Sequence, residues 1–483
     1  MALRAYELSL LLTSWPSVTG TADEARLPQH LADALSHFDK AWIAAIPGDH
    51  AGRSNVFALK RGRSQRTVVL TGHFDTVPFD DYGDLAELAL KPEQLTAALL
   101  AKLASGTHPL ARADLESGDY LPGRGLLDMK AGLAAGIAAM EHYDGALSLL
   151  FLGVSDEEER SAGARAAIPQ LRAAAAEHGL EIALIINLDS ISDQGDGSKG
   201  RVVTYGSIGK QLLCAHVVGK QTHAGYPQDG VNAAYLMAEL VRAIELAPEL
   251  SEATGDEIAA LPATLFAKDG KQGYNVTTPA HAFAYWNTMQ HRRSGAEVLN
   301  VAETLAAKAV AAAEARTGHK IRLTRFAELG LKAQITDPSL SLPDQTALAM
   351  TALAQQADIN APTVLLGFAS IPYPAVLLRD EKLRNLISAA IRPHGLGEVN
   401  YFAGISDMSF YGEASGDLSV VADNTPIWGT GFTMPDSGGW PCINIGPWGR
   451  DYHTWLERLH APYAFETLPK VLLSVIAAIE KSG

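Results

Sequence analysis

The chain has 483 residues, more than one compact hydrophobic core can organise, so we expect at least two domains. Its net charge of −15 argues against binding to a nucleic-acid backbone, which requires clustered lysine and arginine side chains. The two cysteines, Cys214 and Cys442, suit a reducing compartment and form neither a disulfide framework nor a cysteine-rich metal site. The sequence shows no basic leader before a long apolar run and no membrane span, so we expect a cytoplasmic protein.

Short apolar runs alternate with alanine-rich segments through about residue 205. Three of these runs are predicted to be buried strands, at residues 68–71, 149–152 and 184–187. Helices are predicted over 128–143 and 161–178, the second ending at Gly179. A polar, helical insertion that carries little chemistry lies between 82 and 117. Strands and helices in this order predict an α/β fold with a doubly wound, mostly parallel sheet.

The character of the sequence changes at about Gly209. The following segment is predicted to contain strands at 212–218, 282–289 and 321–326, and helices at 231–246 and 298–315. This order predicts an inserted α+β sandwich over 209–328, which would act as a lid or dimerisation domain. The catalytic domain would then be discontinuous and would comprise 1–208 and 329–483. It ends in a predicted strand at 442–445 and a helix after Phe465.

Histidine and carboxylate side chains follow the three predicted buried strands. His73 and Asp75 come after the first strand, Glu157 and Glu158 after the second, and Asp189 after the third. Side chains at the carboxyl ends of parallel strands converge at one edge of the sheet. Adjacent buried carboxylates repel each other, and a divalent cation offsets that repulsion. The mixture of imidazole and carboxylate donors indicates a metal site, with zinc as the preferred ion.

Each of these patterns also has a structural alternative that the residues alone leave open. An acidic run is most often a solvated surface, and Asp128 is well placed to cap a helix. Asp189 suits a turn, and His453 with Glu457 suits a core histidine paired with an acid on a helix. His223 would be unremarkable as a single histidine in a loop. The glycine-rich segments lack the spacing of a phosphate-binding loop, and no nucleophile elbow or His-Glu-x-x-His motif occurs.

Taken in order, these segments resemble the M20 family of metallopeptidases and amidohydrolases. The resemblance covers most of the chain and rests on the segments 16–24, 72–78, 123–130, 156–163, 219–227 and 446–457. The long spacing between Asp75 and Asp128 and the ending at 452–458 resemble the arginine-utilisation branch of that family.

The resemblance implies a site with two zinc ions, for which Co²⁺ or Mn²⁺ can substitute. The implied metal ligands are His73, Asp128, Glu158, Asp189 and His453, with Asp128 bridging the two ions. Asp75 would orient His73, and Glu157 would be the general base and acid for attack of a metal-bridging water on an amide. In the lid, His223 would reach the active site of the neighbouring subunit, and Asn275 would contact the substrate. The implied protein is a homodimer that acts on a small N-acylated amino acid or dipeptide-like substrate.

One position departs from the family pattern. Many relatives carry an arginine on a lid strand that binds a substrate carboxylate, whereas residues 284–290 contain none and Arg292 and Arg293 come just after. Two other functions stay open at this point. One is a bimetal aminopeptidase, and the other is a catalytically silent binding protein on the same scaffold.

Overall fold

The computed structural model describes residues 1–103, 106–334, 337, 339–402, 404–414 and 416–482. The helices within these residues are, in chain order, α1 (Ala2–Ser14), α2 (Ala22–Ala34), α3 (Pro92–Lys102), α4 (Pro109–Ser117), α5 (Ala131–His142), α6 (Ala162–His178), α7 (Ala233–Ile244), α8 (Gly295–Thr317), α9 (Leu342–Gln356), α10 (Glu381–Ile391), α11 (Met408–Tyr411), α12 (Ser419–Asp423) and α13 (Leu468–Lys481). The strands are β1 (Lys40–Ala45), β2 (Ser54–Lys60), β3 (Arg66–His73), β4 (Tyr120–Pro122), β5 (Ser148–Val154), β6 (Glu181–Asn187), β7 (Ile191–Ser192), β8 (Val202–Thr204), β9 (Gly206–Ser207), β10 (Gly209–Val218), β11 (Ala253–Thr254), β12 (Glu257–Ile258), β13 (Ala263–Asp269), β14 (His281–Gln290), β15 (Arg322–Arg325), β16 (Thr363–Phe368), β17 (Val376–Leu377), β18 (Gly397–Val399), β19 (Cys442–Asn444), β20 (Trp448–Arg450) and β21 (Arg458–His460).

The largest sheet has eight strands in the order β1–β2–β5–β3–β6–β19–β8–β18. At its centre, β5, β3, β6 and β19 are parallel to one another. Every residue of β5 is buried, because its side chains alternate between two covered faces. Leu149 and Phe151 pack on the side of α5 and α13, whereas Leu150 and Leu152 pack on the side of α6. Helices on both faces of a mostly parallel sheet confirm the predicted doubly wound α/β fold.

A second sheet has five strands in the order β13–β14–β10–β16–β15. Alternate residues of β10, such as Leu213 and Val217, pack against α7 and α8. Leu212 and Cys214 point to the other face, where α9 covers them. Two helices packed on one side of a largely antiparallel sheet confirm the predicted inserted α+β sandwich.

The five-stranded sheet continues past residue 328, where the sequence analysis ended the inserted domain. β16 pairs with β10 in the antiparallel direction and with β15 in the parallel direction. The prediction missed this strand because a helical, proline-containing segment separates it from β15 in the sequence. The division of the chain into domains otherwise stays a prediction.

The insertion after β3 forms α3 and α4, as the sequence predicts, and packs against the carboxyl-terminal part of the chain. β4 follows the insertion and joins a four-stranded sheet in the order β4–β21–β20–β7. Leu95, Leu99 and Leu115 of the insertion share one hydrophobic cluster with Trp448 and Leu456. The insertion therefore covers the hairpin formed by β20 and β21.

The segment Pro462–Lys481 is long and apolar enough to cross a membrane, judged by length and composition alone. Its most apolar window is 56% buried inside the protein. Val471, Leu472, Val475 and Ile476 are fully buried in the cluster between α13 and the main sheet. We interpret this segment as a core helix.

Candidate dinuclear metal centre

Three of the predicted ligand positions lie at one edge of the main sheet. β3 is placed between β5 and β6, and all three are parallel, so their carboxyl ends are neighbours. His73 is the last residue of β3, and Asp189 comes two residues after the end of β6. The Nε2 atom of His73 lies 3.8 Å from Oδ1 of Asp189. Glu157 and Glu158 follow β5 at the same edge.

Asp128 lies between the two histidines. Its Oδ1 is 3.2 Å from Nε2 of His73, and its Oδ2 is 3.1 Å from Nε2 of His453. The residue does not cap a helix. Asp128 has extended backbone angles within the irregular turn Leu126–Lys130, and α5 begins only at Ala131. This turn directs both carboxylate oxygens toward the two imidazoles.

The donors form two clusters that share Asp128. One comprises His73, Asp128 and Asp189, the other comprises Asp128, Glu158 and His453, and within each the donor atoms all lie within 4.8 Å of one another. Nε2 of His453 lies 3.3 Å from Oε2 of Glu158. Imidazole nitrogens and carboxylate oxygens at this separation, with one carboxylate common to both groups, fit a pair of metal ions. The five ligand residues of the sequence analysis are therefore brought together, although their roles as ligands stay a prediction.

The electrostatics of the two clusters call for added positive charge. Burial alone would lower the pKa of His73, but hydrogen bonds with Asp128 and Asp189 raise it well above its ordinary value. Burial also opposes protonation of His453, yet its hydrogen bonds with Asp128 and Glu158 raise its pKa to about 10. Burial raises the pKa of both Asp189 and Glu158. Bound cations would relieve the crowding of these carboxylates.

Asp75 connects His73 to the loop that follows β5. Nδ1 of His73 lies 3.0 Å from the backbone carbonyl oxygen of Asp75 and 3.6 Å from its carboxylate. The carboxylate accepts hydrogen bonds from the backbone N–H groups of Glu157 and Glu158, at 3.1 Å and 3.2 Å, and from the hydroxyl of Thr19. The shorter contact is with the carbonyl, so Asp75 holds the ring through its backbone and the acidic loop through its side chain.

Glu157 adjoins the ligand position Glu158 but is in neither donor cluster. Burial raises the pKa of Glu157 well above its ordinary value, and the negative charges of Asp407 and Asp189 raise it further against the opposing effect of His73. Its role as general base and acid stays a prediction.

Two lid residues of the sequence analysis, His223 and Asn275, contact none of these side chains within the described part of the chain. Both are exposed, and their loops are adjacent at one end of the five-stranded sheet. His223 forms a β-bridge with Thr277, whose N–H and hydroxyl groups donate to the side-chain oxygen of Asn275. Tyr274, which is 95% exposed, lies in the same loop. Their roles in the sequence analysis stay predictions.

Of the two arginines that follow the lid strand, Arg293 has its side chain engaged elsewhere. Nη1 of Arg293 donates to the backbone carbonyl of Glu249 at 2.6 Å, and its Nε is 3.9 Å from Glu252. The backbone N–H of Arg292 also donates to Glu252. The guanidinium group of Arg293 is thus held by Glu249 and Glu252 rather than by the metal-ligand clusters.

The sequence analysis missed Asp407 and Asn444. Asp407 is buried, and burial raises its pKa to about 7, with the charges of Asp75 and Asp189 adding to the effect. Asn444 accepts a hydrogen bond from the backbone N–H of Asp189 and donates one to its carbonyl, both at 2.9 Å. These two bonds fix the backbone that carries a ligand. Asn444 lies in the predicted strand 442–445, which was a usable signal, and in the structure it ends β19 beside β6. Asp407 has no comparable sequence context.

Comparisons with known proteins define the class to which this site belongs. The profile of Peptidase family M20/M25/M40 matches residues 69–422, and the chain belongs to this family. It is therefore a metal-dependent hydrolase. The predicted resemblance to the M20 family is confirmed.

The chain is 31% identical to YqjN of Bacillus subtilis (strain 168), over 99% of this chain and 97% of the relative. It is 26% identical to the protein RocB of the same organism, over 98% and 94%, which confirms the resemblance to the arginine-utilisation branch. A succinyl-diaminopimelate desuccinylase of Wolinella succinogenes is 29% identical over 48% of this chain and 54% of the relative.

Solved structures share the fold. A tripeptidase from Staphylococcus aureus superposes with a TM-score of 0.57 at 15% identity, covering 100% of this chain and 99% of that protein. YxeP of Bacillus subtilis, described as a dinuclear metal-binding peptidase of the M20 family, gives a TM-score of 0.53 at 13% identity, covering 99% and 98%.

Proposed function

We propose that this protein is a cytoplasmic di-zinc amidohydrolase that cleaves the amide bond of a small N-acylated amino acid or dipeptide-like substrate. The observation that carries the proposal is the pair of donor clusters joined by Asp128, with the unligated Glu157 beside them. The relatives named succinyl-diaminopimelate desuccinylase support a substrate with an N-acyl amide.

The donor set supports zinc as the metal. His73 and His453 supply nitrogen and the three carboxylates supply oxygen, a mixture that zinc accepts and that also suits Co²⁺ or Mn²⁺. When bound, the two ions would act as Lewis acids and lower the pKa of a water molecule from about 15.7 toward about 7. The contact between His73 Nδ1 and the Asp75 carbonyl leaves Nε2 free to bind one of them.

Glu157 carries the proton during the reaction. Its carboxylate accepts a proton from the attacking water and then donates it to the nitrogen of the leaving amine. The Asp75 carboxylate fixes the backbone N–H groups of Glu157 and Glu158, so the base keeps a constant position relative to the ligand beside it. The acid and the base of the reaction are therefore one side chain.

We also propose that the protein is a homodimer through its lid domain. His223 and Asn275 are exposed, lie side by side and contact none of the metal-site side chains of their own subunit within the described residues. In the proposed dimer, His223 donates a hydrogen bond to the developing oxyanion in the neighbouring active site, and Asn275 contacts the substrate there.

The substrate class is tested by comparing an N-acyl amino acid with a free-amine dipeptide of matched side chains. We expect the zinc-loaded protein to hydrolyse the N-acyl compound at a kcat/KM at least about tenfold higher, because the proposed site recognises an acyl group rather than an ammonium group. The measurement is amine release across a panel of N-succinyl and N-acetyl amino acids. Preference for the free amine would instead establish the bimetal aminopeptidase.

Exchanging His223 for alanine should lower kcat by about 10²- to 10³-fold, the usual effect of removing one oxyanion donor, while the zinc content stays unchanged. Loss of zinc would show that the role of His223 is misassigned.

The dimer makes a further test possible. H223A and E157Q subunits that are unfolded together and refolded as a mixture should recover about a quarter of wild-type activity, because half of the dimers contain one intact site out of two. A mixture that stays inactive, although its subunits exchange, would show that His223 does not serve a neighbouring site.

A further inference from the structure

The two histidine positions of the metal centre are supported in different ways. His73 is held through its ring, because Nδ1 contacts the carbonyl oxygen of Asp75. For His453, only Nε2 takes part in the polar contacts of the ring among the described residues, and those contacts are with Asp128 and Glu158. Its position therefore depends on the loop that carries it.

That loop has a backbone that needs external support. His453 and Asp451 have φ angles of 63° and 54°, in the left-handed region that residues with side chains rarely adopt. The loop connects β20 to β21, and the two strands pair so that Arg450 lies opposite Arg458 at its base. Surrounding contacts must hold such a turn in place.

The insertion supplies these contacts at the base of the loop. Asp114, on α4, accepts hydrogen bonds from Nη1 of Arg450 at 2.6 Å and from Nε of Arg458 at 2.8 Å. All three side chains are buried, so the carboxylate bridges two guanidinium groups and offsets part of the repulsion between them. Nη1 of Arg458 in turn donates to Asp451 at 2.5 Å, which connects the insertion to the left-handed turn.

A second acid, Asp81, lies directly before the insertion and supports the far end of the loop through Arg124. Arg124 donates to Asp81 and to Glu457, both at 2.8 Å, and Glu457 is the last residue before β21. Between these two supports, the ring of Trp455 packs edge-on against His108 of the insertion. The insertion therefore supports the loop at its base and in the middle, and the flanking Asp81 supports its far end through Arg124.

We propose that the insertion positions His453 by supporting the loop that carries it, and that Asp114 is the principal positioning residue. Because His453 is a ligand position, this support sets the affinity of the site for one metal ion. The inference rests on the proposed two-metal function. In the cluster of His73, Asp128 and Asp189, the two unshared ligand positions His73 and Asp189 are held by β3 and β6 of the main sheet rather than by this loop. The cluster of Asp128, Glu158 and His453 depends on it.

The test is a zinc titration of the full-length, chelator-stripped protein against a chromophoric competing chelator. We expect Asp114→Asn to weaken one of two zinc equivalents by about 10- to 100-fold, as loss of a supporting partner commonly does, and to leave the other unchanged. The weakened equivalent should be the one that His453→Ala removes and His73→Ala retains. Asp114→Glu, which keeps the charge, should recover part of the affinity.

Glu116→Gln is the matched control, because Glu116 lies on the same helix and its exposed carboxylate pairs with Arg112 of that helix. It should bind both zinc ions as the wild type does. Wild-type binding by Asp114→Asn, or equal weakening of both equivalents, would overturn the proposal.

Circular dichroism of the stripped proteins shows whether Asp114→Asn folds. Should it not fold, Asp81→Asn provides a second test. This change removes the partly exposed acid that holds Arg124, and it should weaken the same one of the two zinc equivalents. Unchanged binding in that variant would overturn the proposal. A wild type that binds fewer than two zinc ions would instead overturn the proposed function, and this inference with it.

Discussion

Exchanging Glu157 for glutamine is expected to lower kcat by at least about 10²- to 10⁴-fold, because the amide cannot accept and return the proton. The change keeps the size of the side chain and removes no atom from either donor cluster. The zinc content should therefore stay near two ions per chain. The measurement combines steady-state hydrolysis of the best N-acyl substrate with elemental analysis of the same preparation.

Glu159→Gln provides the matched control for this experiment. Glu159 lies in the same acidic loop, but its side chain is exposed and pairs with Arg160. It should leave both the rate and the zinc content unchanged. A Glu157→Gln protein that retains wild-type activity would show that another group moves the proton, and Asp407 would be the next residue to examine because it is buried beside the same site.

Exchanging Asp128 for asparagine should affect both metal ions, since this carboxylate is the one donor common to the two clusters. We expect zinc content to fall from about two to below about one per chain and hydrolysis to be lost with it. Asp189→Asn is the informative comparison, because Asp189 belongs to one cluster only. It should weaken one zinc equivalent and leave the other bound.

Thermal unfolding gives an independent measure of zinc binding by these variants. Zinc binds the folded wild type and so raises its melting temperature relative to the chelator-treated protein, by mass action. Asp128→Asn should show little of this rise. If the two variants lose zinc equally, or if Asp128→Asn retains both ions, the bridging role assigned to Asp128 is wrong.

The main sheet and its ligand edge were predictable from the sequence for a physical reason. β3, β5 and β6 are apolar along most of their length, since both faces of a central parallel strand are covered. A histidine or an acid that directly follows such a strand lies at the carboxyl edge of the sheet. The apolar runs that precede His73 and Asp189 were therefore enough to predict that these two side chains meet.

Other parts of the molecule could not be predicted from local sequence. β16 belongs to the lid sheet although about forty residues separate it from β15, because strand pairing is set by long-range contact rather than by order in the chain. The conformation of Asp128 was also missed. An aspartate before an alanine-rich helix is a common cap, and only the turn at Leu126–Lys130 shows that its oxygens point to two histidines.

The sequence by itself determined the fold class, the family and the identity of the residues that meet at the sheet edge, because these follow from apolar periodicity and from short motifs in order. Only the tertiary structure decided how His453 is held. Asp114 lies more than three hundred residues from its partners Arg450 and Arg458, and it occurs in an insertion whose sequence carries no catalytic motif. A buried ion pair of this kind depends on how distant segments pack, and no local pattern in a single sequence encodes it.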